Sequence, residues 1–129
     1  MTAVLMDTHV WVWSFLTPEK LSEPAMSAIG NATTALVSPV SFFEIAQKVR
    51  LGKWPELNHA VVELQSIMQV QGSVEAPLAS EICTNAGQLN WPHRDPFDRL
   101  IAATALHLNI PLVTKDAAFA SLDGLAVVW

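Results

Sequence analysis

Cysteine is almost absent: Cys83 is the only one among 129 residues. One thiol excludes an internal disulfide framework and fits a reducing compartment. Its place beside Ile82 in a helical pattern predicts a buried structural thiol rather than a nucleophile. Long uncharged apolar runs are also missing; none approaches the roughly 20 residues that a membrane helix needs. The amino-terminal stretch is apolar, but Asp7 and His9 interrupt it, and it has neither a basic start nor a small-residue cleavage site. No signal peptide is expected, and the cytoplasm is the expected location. Basic charge is scarce, with seven Lys and Arg against twelve Asp and Glu and a formal net charge of −5. That balance argues against broad, charge-driven contact with nucleic acid. It leaves room for a small site where a bound cation reverses the local sign. Repeats, low-complexity tracts and linkers are lacking as well, so residues 1–129 are expected to form one domain.

What is present is apolar: 51% of the residues are hydrophobic and only 15% are charged, which excludes disorder. Such a surplus suits a sheet covered on both faces, or a surface given to a partner. Trp11, Trp13 and Trp54 belong to that surplus. Short apolar runs at 3–6, 34–37, 73–76, 112–113 and 125–129 read as strands. Between them, helical spacing marks 8–16, a segment from Ser22 to Gly30-Asn31, and 40–51, 56–70 and 78–89. Another helix runs from Asp95 to about Asn109, and a short one covers 117–122. Ser41 and Glu44 have the spacing of a capping box, and Glu44 and Lys48 that of an i, i+4 ion pair. Strands alternating with helices predict parallel pairing with helical crossovers, a three-layer α/β/α sandwich with a mostly parallel central sheet.

The chemistry gathers in the acids. Asp7 and Asp116 follow predicted parallel strands at their carboxyl ends, the edge where open α/β sheets bind ligands. Glu44 and Asp98 fall in the first turns of helices entered from that edge. Four carboxylates distant in sequence are thereby expected at one rim. Like charges so gathered raise one another's pKa, and a divalent cation relieves the conflict. With no Cys or His set of ligand spacing, an oxygen-only donor set points to Mg2+, or Mn2+, rather than zinc. Asp95 has a competing explanation as the N-cap of its helix, with Pro96 at the first helical position. His9 is expected to pack or cap locally, and His93 flanks the same loop within reach of a phosphate.

The segments MDTHVWVW (6–13), SPVSFFEIAQKVRLGK (38–53), DPFDRLIAATA (95–105) and LVTKD followed by Phe119 resemble the PIN-domain ribonucleases. The likeness is nearest to the VapC-type toxins of bacterial toxin–antitoxin pairs, and it spans the chain in order. It implies that Asp7, Glu44, Asp98 and Asp116 bind metal, with Asp95 a lesser contributor. Thr114, Thr8 and Ser41 would be supporting hydroxyls, and Arg99 would contact phosphate or pair with a carboxylate. The implied activity is a Mg2+-dependent endoribonuclease that leaves 5′-phosphate and 3′-hydroxyl ends. A cognate antitoxin and a homodimer are implied with it. Two alternatives share the fold class, a receiver-like signalling module and a catalytically idle interaction protein. A receiver expects adjacent acids after its first strand, where this chain has Thr8 and His9 beside Asp7.

Overall fold

A computed structural model of the chain describes residues 2–129. Strand β1 (Ala3–Met6) leads through Asp7 into helix α1 (Thr8–Leu16). Helix α2 (Glu23–Asn31), capped by Ser22, precedes β2 (Thr34–Val37) and α3 (Pro39–Arg50). Helix α4 (Leu64–Gln71) and β3 (Val74–Glu75) follow, then α5 (Ser80–Gln88) and α6 (Pro96–Leu108). Strand β4 (Leu112–Val113), a 3-10 turn (Ala117–Ser121) and β5 (Val127–Val128) end the fold.

The strands form one sheet in the order β3-β2-β1-β4-β5, and every pairing is parallel. Alternation along the strands builds two cores. Val4, Met6, Val37 and Val113 face Trp11, Ala25, Ile45, Leu57 and Met68 on one side. Leu5, Leu112 and Val127 face Ile101, Ala102, Ala105 and Phe119 on the other. Helix α5 packs behind α6 through Ile82, Ala86 and Ala103. The result is the expected α/β/α sandwich, because strands buried on both faces need helices on both.

Register places the site. Met6 pairs with Val37 on one side and with Val113 on the other. The next residues, Asp7, Ser38 and Thr114, therefore leave the sheet together at its carboxyl edge. Strands β2 and β3 lie to one side of β1, and β4 and β5 to the other. This edge is the switch point where such sheets form a crevice.

Several local expectations are corrected. Residues 56–70 are not one helix: 3-10 turns at Pro55–Leu57 and Val61–Glu63 precede α4. Leu57, Leu64 and Met68 are still buried, so the apolar spacing persists while the hydrogen bonds tighten to i−3, as from Leu57 N–H to the Trp54 carbonyl at 3.0 Å. Helix α3 starts at Pro39 because Ser38 caps it, its Oγ accepting from Val40 N–H at 3.1 Å. Ser41 and Glu44 make no capping box; each side chain has another partner. Cys83 is exposed, since α5 spends its inward face on Ile82 and Ala86. Trp11 is fully buried with its indole N–H bonded to Gln71, and Trp54 is also buried, so neither offers surface to a partner.

Candidate active site

Asp7 sits at the floor of the crevice, and its carboxylate is engaged twice. Oδ1 accepts from Val10 N–H at 2.8 Å, which caps α1, and Oδ2 accepts a short hydrogen bond from the Thr114 hydroxyl. Thr114 thus lies beside Asp7, and its Oγ1 also accepts from Asp116 N–H at 3.1 Å. Thr8 and Ser41 bond to each other at 2.8 Å, both buried, and tie the first turn of α1 to that of α3. Glu44, on the second turn of α3 and only 7% exposed, receives Lys48 Nζ at 2.9 Å. Asp98 Oδ2 lies 2.7 Å from His93 Nε2. Asp95 accepts from Asp98 N–H at 3.0 Å and caps α6, while Asp116 accepts from Ala118 N–H at 2.9 Å and caps the last 3-10 turn.

The five acids share one cavity of about 360 Å³, lined by Asp7, Glu44, Asp95, Asp98 and Asp116 together with Thr8, His9, Trp13, Lys48 and Lys115. All four acids expected at the rim are there, and Asp95 joins them. Thr114 and Ser41 stand behind the lining as partners of Asp7 and Thr8. Arg99 does neither thing expected of it. It lies outside the lining and bonds to backbone carbonyls rather than to a carboxylate. His93 meets an acid instead of open space. Lys48, Lys115 and Trp13 also line the cavity, with no motif in the sequence to mark them as site residues. Lys48 was legible only as the partner of Glu44, and Lys115 only from its place before Asp116. His9 packs locally, its ring 4.9 Å from Trp54 and 5.9 Å from Trp13.

The electrostatics are strained in one direction. Burial pushes the Asp7 carboxyl above its usual range, against the Thr114 and Val10 hydrogen bonds, and Glu44 adds to the rise. Burial also raises Asp98 to about 6; the His93 bond opposes the rise, while Asp95 and Glu44 reinforce it. Among the described residues, no three His, Cys, Asp or Glu side chains stand close enough to enclose a metal ion as they are. The fit lies in the donor chemistry. Five carboxylates and no thiol line the cavity, and two of them are costly to ionise without a cation. That set suits a hard, oxygen-seeking divalent ion.

Residues 4–125 match the PIN domain family model. The chain belongs to the PIN-domain family. This PIN domain is similar to Ribonuclease VapC22 of Mycobacterium tuberculosis, 35% identical over 119 residues that cover 90% of this chain and 88% of the relative. In fold it is similar to VapBC2 from Rickettsia felis bound to a promoter DNA fragment, with a TM-score of 0.70 at 16% identity, covering 98% of this chain and 97% of that one. DNA-bound VapBC from Salmonella typhimurium gives a TM-score of 0.71 at 18% identity, with 98% and 97% coverage. Membership of the PIN family displaces the receiver-like reading.

Proposed function

We propose that this PIN domain is a metal-dependent endoribonuclease and the toxin of a toxin–antitoxin pair. One observation carries the reading. Asp7, Glu44, Asp98 and Asp116, from four separate segments, line one cavity at the switch point of the sheet, in a chain 35% identical to a ribonuclease. These four acids would hold the ion, Mg2+ first and Mn2+ as a substitute, with Asp95 chiefly capping α6.

When bound, the divalent ion supplies Lewis acidity and a water acidic enough to be activated for in-line attack on a phosphodiester. The chain's own residues do the rest. Thr114 and the Val10 N–H fix Asp7 at the floor, Lys48 holds Glu44, and His93 holds Asp98. Lys48 and Lys115 bring two ammonium groups to the lining of a cavity whose carboxylates otherwise repel phosphate. Attack of water on phosphorus with departure of the 3′ oxygen leaves 5′-phosphate and 3′-hydroxyl ends.

The antitoxin reading rests on likeness to chains solved in VapBC complexes. For the homodimer, the exposed apolar surface is the support: Phe43 is 60% exposed and its ring lies tilted against Phe97, centroids 5.7 Å apart. Among the described residues no helix is long and apolar enough to cross a membrane. The proposed location is the cytoplasm, beside the RNA substrate. The test is chelated protein with end-labelled RNA. Cleavage should return on adding Mg2+ and yield 3′-hydroxyl fragments that a poly(A) polymerase extends. Cleavage undiminished by chelator, or cyclic phosphate ends, would contradict the reading.

A further inference from the structure

Arg99 spends its whole guanidinium on one stretch of backbone. Nε donates to the Ala86 carbonyl at 2.9 Å, Nη1 to Trp91 at 2.8 Å and His93 at 2.9 Å, and Nη2 to Leu89 at 2.7 Å. A longer contact from Nη2 reaches Gly87 at 3.5 Å. These acceptors run from the end of α5 through the loop that enters α6. That loop has no sheet or helix of its own to fix it, and one planar cation collects its carbonyls. A lysine ammonium, with three donors at one point, has no such reach.

The loop delivers His93. Its backbone is held by Arg99, and its ring is tilted against Trp91 at 4.8 Å and Phe119 at 6.3 Å. Trp91 is buried and anchored in turn by its indole N–H on Ser121 at 3.0 Å. The imidazole so placed meets Asp98 Oδ2 at 2.7 Å. With Asp98 ionised, Nε2–H is the donor. Among the described residues no hydrogen bond reaches the other oxygen, Oδ1, and Asp98 lines the cavity with Asp7, Glu44 and Asp116.

We propose that Arg99 and His93 are positioning residues: the Arg99 clamp fixes the loop, and His93 holds one oxygen of Asp98 so that the carboxylate is aimed for the metal ion. The inference rests on reading Asp98 as a metal-binding acid. It gives Arg99 a part in the site that needs no contact with substrate. Hydrogen-bonded partners of ligating carboxylates typically account for about tenfold to 100-fold in metal affinity.

Titration calorimetry with Mn2+ and no RNA tests it, on the parent and on Asp98→Asn, His93→Phe, His93→Gln and Arg99→Lys, each checked for a cooperative melt. His93→Phe keeps a ring against Trp91 and Phe119 but has no donor; it should bind Mn2+ at least about tenfold more weakly. His93→Gln places an N–H near the Nε2 position and should recover most of the loss. Arg99→Lys should weaken binding in the same sense, and Asp98→Asn should nearly abolish it. If His93→Phe binds like the parent while Asp98→Asn has lost binding, the positioning role is wrong and the metal site stands. His93→Gln binding no better than His93→Phe also overturns it. Parental binding by Asp98→Asn would strike Asp98 from the metal-binding acids, and the positioning role with it. Should His93→Phe not fold, parental binding by Arg99→Lys would overturn the clamp.

Discussion

Burial holds the Asp98 carboxyl protonated to about pH 6, against a usual value of 3.8. A native pKa above the unfolded one means that the folded chain keeps the proton more tightly. In metal-free protein the stability linked to this group is therefore full below about pH 4 and lost as pH rises through about 6. Asp7 shifts in the same direction for the same reason. Urea unfolding in chelator across that window should show the decline, and Asp98→Asn should flatten it; an unchanged slope in the variant would assign it elsewhere. Protons and metal compete for the same oxygens, so Mn2+ affinity should strengthen as pH rises through the window. Thr114→Val leaves the buried Asp7 without its hydroxyl donor and should cost about 1–3 kcal/mol of stability by urea unfolding. The acids themselves were legible in sequence, since an apolar run ending in Asp7 or Thr114-Lys115-Asp116 marks a strand end. Arg99 was not, because nothing in spacing reveals that a guanidinium will choose carbonyls over a carboxylate.

At the scale of elements, capping and metal chemistry use the same residues. Asp7, Asp95 and Asp116 each accept a backbone N–H at the start of a helix or turn. A cap therefore neither argues for nor against a further role. The two roles separate by substitution. Asp95→Ser keeps a capping oxygen and removes the charge. It should stay within about 0.5 kcal/mol of the parent in stability and cleave within a few-fold of it, because serine and aspartate cap about equally well. A large loss of cleavage with stability intact would make Asp95 a metal ligand. Strand and helix order was readable from periodicity, and so were the starts of α2 and α6 from their caps; the cap that Asp7 gives α1 was not. The 3-10 turns between 55 and 63 were not, since Leu57, Leu64 and Met68 bury the same face under either hydrogen-bond pattern. Nor was the exposure of Cys83, which sits one residue beyond the buried Ile82.

For the whole molecule, a formal charge of −5 and an acidic cavity favour a divalent cation over a polyanion as the first ligand. Binding to the native state alone raises stability by about 2.7 kcal/mol at a hundred times Kd, a shift of several degrees in melting temperature for a chain of this size. Mg2+ should therefore raise the melting temperature of the parent, and much less that of Asp98→Asn. The acids gathered at the sheet edge are proposed as the cleaving site. The most direct measurement is cleavage of labelled RNA in Mg2+ by the parent, Asp7→Asn and Asp98→Asn, all shown to be folded. Loss of cleavage in both variants is the predicted result; either variant cutting RNA like the parent would contradict the claim.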